Sequence, residues 1–504
     1  MGRRLVLAVG CLALLAARCS DSGSADDDGA GDTGASSAPA SRTPTVTQAT
    51  VSDALPDGFT LASNPTIDYG ALGYEQVEYL LDGLATAHVP AGPLSEDGKW
   101  IVTAGEEAPY TTRVVVTRPV DPEDFNGTAL VEWLNVSGGV DASPDLTLTH
   151  VELTRSGYVH VAVSAQQVGL DATRTADPER YASLSHPGDS YSYDIFSQAG
   201  QAVRLDADEL LGGLQPERVI AIGESQSAIR MTTYINAVHP VADVYDGFLV
   251  HSRYGRGGAL SQAPLEQIDT PPAVRIRTDL DVPVLVFQTE TDTDALQARQ
   301  DDSDVYRLWE VAGTAHFDSY GLALGATDEG DEAGATAWFD AMRAPSTEPI
   351  PGFTCALPVN AGPQTYVLRA AVVALSEWVA TGTPPPSAPR LEVVSTDPTA
   401  PEYAVDEQGI TLGGIRTPAV DAPVAVLRGL GQPAGSADSL QRFCRLFGTT
   451  VPLTTEQLTE LYPDHDAFVA AWEESLDRAV EDGYVLEADA ELLRSVAENA
   501  AVPS

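Results

Sequence analysis

Residues 74–89, 110–120 and 129–135 alternate apolar with polar positions or run apolar, and Val, Leu and Tyr dominate them. All three are expected as strands, the first two as an antiparallel edge. A Val136-Ser137-Gly138-Gly139 turn follows. Leu146, Leu148, Val151 and Leu153 then recur near one face of a predicted helix over 145–156, which Gly157 is placed to end. Further strands are expected at 158–164, 218–222, 245–250, 282–288 and 307–311, with helices at 193–211 and 226–238. Strands alternating with helices imply an α/β fold, a mostly parallel sheet with helices on both faces. The polar stretch 167–192 lacks periodicity and is long for a loop, which makes it a candidate lid. Beyond Tyr320 the alternation gives way to helical and Pro/Gly-rich segments. The core is therefore expected over 48–320, with 321–504 as a C-terminal helical and irregular extension packed on it.

The first residues are set apart from this fold. Arg3 and Arg4 precede an apolar run over 5–17, too short for a stable membrane span but suited to a signal-peptide core. Residues 1–19 are thus expected to direct export. Cys19 closes the run, and 20–47 consist almost entirely of Ser, Asp, Gly, Ala, Thr and Pro. Such a segment has too little apolar surface to offset its ordering entropy and is expected to be a disordered tether. The layout resembles a bacterial lipoprotein with Cys19 as the lipid anchor. Arg18 stands where that motif wants a small residue, so free secretion is the alternative. A cell-envelope lipoprotein or a secreted protein is expected, with membrane contact only through that anchor.

Charge narrows the partners. The chain has 73 acidic against 28 basic residues, a formal net charge of −45. That surface repels nucleic acid and anionic head groups, and it disfavours a polyanionic polymer as substrate. Cys355 and Cys444 are the only cysteines of the body, and an oxidising compartment would join them in a disulfide. The absence of a CxxC pair or a His-Cys cluster argues against structural zinc, and no metal or organic cofactor is expected.

The candidate chemistry begins at Ile222-Gly223-Glu224-Ser225-Gln226-Ser227, between an apolar strand and a helix. A sharp turn there lifts a serine hydroxyl above the sheet edge, and the next backbone N–H, at a helix N-terminus, faces a developing oxyanion. Ser227 replaces the second glycine of the usual G-x-S-x-G pattern. An acid and a base follow in the order this chemistry requires. The strand at 282–288 runs into Glu290 and Asp292, either of which can orient an imidazole, with Asp292 favoured by its distance past the strand end. His316 lies in a loop after the next strand. His465, the other histidine beyond the acid, sits beside a helix start and reads as surface. The second oxyanion donor is expected within Ser137, Gly138 and Gly139, with Gln226 supplying the first. His251 and Arg253, at the end of another strand, are candidate substrate-binding residues, with an ion pair to one of the many carboxylates as the alternative for Arg253.

The blocks 131–139, 223–228, 312–316, 414–418 and 444–448 resemble those of the bacterial "alpha/beta hydrolase domain-containing" family over residues 55–495. That resemblance implies the α/β-hydrolase fold and a triad of Ser225, an acid and His316. Together, these readings point to an exported serine hydrolase that cleaves a small-molecule or polymer-derived carboxylic ester through an acyl-enzyme. The rivals are an acyltransferase or peptidase on the same triad, and a non-catalytic surface binding protein of the same fold.

Overall fold

A computed structural model describes residues 46–397, 400–433 and 440–503. The expected signal segment, Cys19 and all but the last two residues of the expected tether lie outside the described residues.

Nine strands form the main sheet: β1 (Thr50–Val51), β2 (Tyr74–Pro90), β3 (Val102–Pro119), β4 (Thr128–Trp133), β5 (Val159–Val163), β6 (Arg218–Glu224), β7 (Gly247–His251), β8 (Val284–Thr289) and β9 (Tyr306–Val311). Their order is β1-β2-β3-β5-β4-β6-β7-β8-β9. The first three strands and the β3–β5 pairing are antiparallel, whereas β5, β4, β6, β7, β8 and β9 run parallel.

Alternation along each strand assigns side chains to the two faces. Ala129, Val131, Val219, Ala221, Phe248, Val250, Val284 and Val286 belong to one apolar cluster. Their neighbours Leu130, Ile220, Ile222, Leu249, Leu285 and Phe287 belong to another. Because both faces are covered, the central strands are buried throughout and read in sequence as nearly continuous apolar runs. Helix Ser192–Leu205 covers the first face through Ile195, Phe196, Ala199 and Val203, joined by Ala228 and Met231 of helix Gln226–Thr233. Helices Pro144–Arg155 and Gln364–Thr381 cover the second. The fold is the α/β-hydrolase fold.

Two expectations change. The boundary at 320 does not separate core from extension, because Val367, Leu368, Ala371 and Leu375 of helix Gln364–Thr381 complete one layer of the sandwich. A separate apolar cluster, centred on Trp338, Phe339, Phe468 and Trp472, holds helices Glu332–Arg343, Thr455–Leu461, His465–Glu481 and Glu487–Asn499 together. The segment 167–192 is not a lid. It begins with helix Gln167–Ala176, and Leu170, Tyr181 and Leu184 pack with Leu80 of β2. Arg180 and Tyr181 also bond the buried Glu78 carboxylate, at 2.6 and 2.8 Å. Among the described residues, no helix is long and apolar enough to cross a membrane.

Cys355 and Cys444 are joined, with their Cα atoms 5.6 Å apart across 89 residues of sequence. Both lie in an apolar cluster with Val359 and Phe447. Closing a loop of that length restricts the unfolded chain by about 4.6 kcal/mol in the chain-entropy account. A Cys355→Ser/Cys444→Ser variant is expected to lose stability on that order in denaturant unfolding. An unchanged midpoint and slope would show that the bridge contributes nothing to stability.

Candidate active site

Strand β6 delivers Ser225 into a backbone conformation that side-chain-bearing residues seldom adopt, with φ 59° and ψ −115°. Such a conformation costs on the order of 1–3 kcal/mol and persists only where the surroundings enforce it. Here the Ser225 N–H donates to the His251 carbonyl of β7 at 2.9 Å, while its own carbonyl accepts from Ile229 N–H at 3.0 Å. The strand and the helix cross closely: a Cβ placed on Gly223 would stand 3.1 Å from Ser227 Cβ and 3.2 Å from Met231 Sδ. Glycine at 223 and a small residue at 227 are therefore one requirement, and Ser227, fully buried, meets its half of it.

His316 Nε2 lies 2.6 Å from Ser225 Oγ, and His316 Nδ1 lies 2.6 Å from Asp292 Oδ1. Asp292 also accepts at Oδ2 from the Thr289 N–H (2.7 Å) and hydroxyl (2.8 Å). Burial pushes its pKa up, but the adjacent imidazole and these donors outweigh it and hold the carboxyl below its ordinary value. Burial likewise pushes His316 down, and Asp292 with Glu224 more than offsets it, leaving the imidazole above its ordinary value.

Glu290 has a different task from Asp292. Its Oε1 accepts from Gly313 N–H at 2.6 Å and its Oε2 from Gly429 N–H at 2.8 Å. It clamps the loop that carries His316, and burial raises its pKa to about 6. The same loop is held by Asn360, which donates to the Gly313 carbonyl, and by Ile415, whose carbonyl accepts from Ala312 N–H. Gly448 packs against it so closely that an added Cβ would stand 2.8 Å from Ala315 Cβ. The blocks 414–418 and 444–448 thus brace the histidine loop.

Glu224 and Asn135 were not singled out from the sequence. Glu224 Oε1 lies 3.1 Å from His316 Nε2, and its other oxygen accepts from Asn135 Nδ2 at 3.0 Å. Burial raises the Glu224 pKa to about 7, against the opposing pull of His316 and His251. The signal available was an ionisable residue directly before the serine, on a strand buried on both faces. Asn135 also accepts from Ser137 N–H at 2.8 Å, tying the turn after β4 to the end of β6.

The structure corrects the reading of His251 and Arg253 as substrate-binding residues. His251 is fully buried; its Nδ1 bonds Asp145 Oδ1 at 2.7 Å, and its Nε2 accepts from Gln364 at 2.9 Å. Burial lowers its pKa to about 4, so the ring is neutral and structural. Arg253 points its guanidinium at the carbonyls of Tyr254, Gly255 and Val274. In the 137–139 turn, Ser137 N–H is engaged by Asn135 and Gly139 N–H donates to the Val136 carbonyl at 2.9 Å. Of the three candidate donors, Gly138 alone keeps its N–H uncommitted. Gln226 N–H stands at the start of helix Gln226–Thr233. His465 bonds carbonyls near the chain's end, at Glu498 and Val502, away from these groups.

Ser225 and His316 open into a cavity of about 450 Å³. Asn135, Ser137, Gly138 and Glu224 form its floor, and Tyr254, Phe317, Phe443, Leu446 and Phe447 its apolar wall. No residue of 167–192 lines it. A larger cavity of about 600 Å³ lies beyond Gln226, around Arg230 and Arg256, and neither Ser225 nor His316 borders it. Among the described residues, no group of His, Cys, Asp and Glu is arranged to hold a metal ion.

A parallel sheet with a serine on a strained strand-to-helix turn at its C-terminal edge defines the α/β-hydrolase class of protein. A family model described as "Alpha/beta hydrolase domain" matches residues 37–495, and the chain belongs to that family. Solved structures similar to it include an esterase from Rhizomucor miehei, at 16% identity over 46% of this chain and 74% of that one, TM-score 0.24. A serine hydrolase homologue from Coxiella burnetii is 14% identical over 41% and 84%, TM-score 0.26. A glucuronoyl esterase from Solibacter usitatus is 9% identical over 47% and 76%, TM-score 0.25. No match was found among curated proteins.

The position of Glu224 gives a test that needs no substrate. A carboxylate beside Nε2 favours the protonated imidazole, so removing it lowers the pKa of His316. In Glu224→Gln, the His316 ring followed by NMR is expected to titrate at lower pH than in the wild type, and its neutral form to extend further into acid. An unchanged or higher midpoint would show that Glu224 does not act on the imidazole.

Proposed function

We propose that this hydrolase is a carboxylic ester hydrolase acting through an acyl-enzyme on Ser225. The observation that carries this reading is the continuous Ser225–His316–Asp292 hydrogen-bonded chain at 2.6 Å per link, opening into a cavity that is largely apolar. Ser225 Oγ attacks the ester carbonyl carbon while His316 Nε2 takes its proton. The imidazolium so formed lies between two carboxylates, Asp292 at Nδ1 and Glu224 beside Nε2. The oxyanion is received by the N–H groups of Gln226 and Gly138. His316 then returns the proton to the departing alcohol oxygen. Water, activated by the same imidazole, attacks the acyl carbon and releases the acid and Ser225.

Export belongs to the same proposal, with a lipid anchor at Cys19 as its form. The Cys355–Cys444 bridge supports export, because structural disulfides persist in oxidising compartments and are rare in the cytosol.

Ser225→Ala is expected to lose at least about 10⁴-fold in kcat on 4-nitrophenyl esters with little change in melting temperature. Asp292→Asn is expected to lose on the order of 10⁴-fold, because only the residue bonded to Nδ1 sets the tautomer. Glu290→Gln should lose far less. Steady-state kinetics and labelling by a fluorophosphonate probe measure all three, and full activity in the Ser225 variant would end the proposal.

A further inference from the structure

The wall of the Ser225 cavity carries two cations that the proposed reaction does not use. Arg442 and Arg445 both line it, and both are exposed. Elsewhere in this strongly acidic chain arginines are commonly paired: Arg113 with Glu78 and Asp141, Arg230 with Asp189, Arg299 with Glu310, Arg369 with Asp328 and Asp489. Among the described residues, neither the Arg442 nor the Arg445 guanidinium has a carboxylate within 4 Å or a hydrogen-bond partner. Arg442 lies over the Phe443 ring, its guanidinium 4.5 Å from the ring centre. Arg445 also lines a second cavity of about 190 Å³, which it shares with His316, Asp292, Asp294 and Tyr254. Its charge reaches the imidazole itself, where it opposes the two carboxylates.

These side chains are not on a free loop. Cys444 lies between them, is buried, and is bonded to Cys355, while Phe447 just beyond is buried as well. The disulfide therefore sets where both guanidinium groups emerge. A planar guanidinium with several donors matches a carboxylate geometrically, and two of them beside an apolar wall suit a ligand with an apolar body and one charged end.

We propose that the esters taken by this enzyme carry a free carboxylate, received by Arg442 and Arg445 at the mouth of the Ser225 cavity. The substrate is a small monoanion. A polyanion would be repelled by the net charge of −45, whereas one carboxylate entering between two unpaired arginines is drawn to the one part of the site that offers it partners. The inference rests on the esterase reading, and the experiment separates the two.

Wild-type enzyme is assayed on matched esters that differ by a carboxylate. On the acyl side the pair is 4-nitrophenyl hemiglutarate against 4-nitrophenyl valerate. On the alcohol side it is 3-carboxyphenyl butyrate against phenyl butyrate. In at least one pair kcat/KM is expected to favour the anionic ester by about tenfold at low ionic strength, the size of one charge-assisted contact. The ratio should fall about tenfold in Arg442→Gln/Arg445→Gln, and fall in wild type as salt is raised. Ratios at or below one in both pairs, or a preference that the double variant leaves unmoved, would overturn the proposal. If no ester is turned over and the fluorophosphonate leaves Ser225 unlabelled, the esterase reading fails instead. The arginines are then judged by calorimetry of monomethyl glutarate with Ser225→Ala protein: binding that the two Arg→Gln changes abolish supports the site, and no binding rejects it.

Discussion

The close crossing of β6 and the helix after it, where Gly223 meets Ser227, is the constraint on which the site depends. The chain turns there at a single residue, and that turn puts Ser225 at positive φ. The cost of that conformation is local, and it is met by the β6–β7 ladder, which supplies the His251 carbonyl, and by the helix, which supplies Ile229 N–H. Once the turn is made, the positions of the hydroxyl and of the Gln226 N–H are no longer independent. A larger side chain at either crossing position would separate strand from helix and relax the turn.

Around the elbow, the fold buries polar groups that a sheet of this kind normally excludes. Glu132, Asp145, Glu224 and Asp292 are all buried, together with His160, His251 and His316. Each carboxylate has at least one specific partner: Glu132 with His160, Asp145 with His251, Asp292 with His316, and Glu224 with Asn135 and His316. The pairings differ in effect. Burial and the nearby Glu132 push Asp145 well above the ordinary carboxylate range, whereas donors and imidazole hold Asp292 below it. The carboxylate that meets the His316 imidazole at Nδ1 is the one held low, which favours the charged carboxylate at that position.

Much of this was legible in the sequence, because the parallel strands are buried on both faces and announce themselves as apolar runs. The elbow was visible for a related reason: Gly223 and Ser225 fall where such a run ends and a helix begins. What escaped was set by contacts between distant segments. Nothing local distinguishes His251, which is locked beneath the site by Asp145 and Gln364, from a histidine that faces a substrate. Arg253 is spent on the carbonyls of Tyr254, Gly255 and Val274, the last a neighbour only after folding. The 167–192 stretch looked like an unstructured cover because its anchors, Leu170, Tyr181 and Leu184, are too widely spaced to show a period. Arg445 falls within the 444–448 block, but nothing in the sequence showed that it and Arg442 border the Ser225 cavity.

The Cys355–Cys444 bond joins two segments far apart in the chain and so fixes one wall of the reaction chamber. A reducing compartment denies that bond, and with it the fixed placement of the wall. The same segment braces the loop of His316 through Gly448, so the bridge bears on the imidazole as well as on the apolar wall beside it. One covalent bond between distant segments thereby couples the state of two thiols to the shape of the chamber around Ser225.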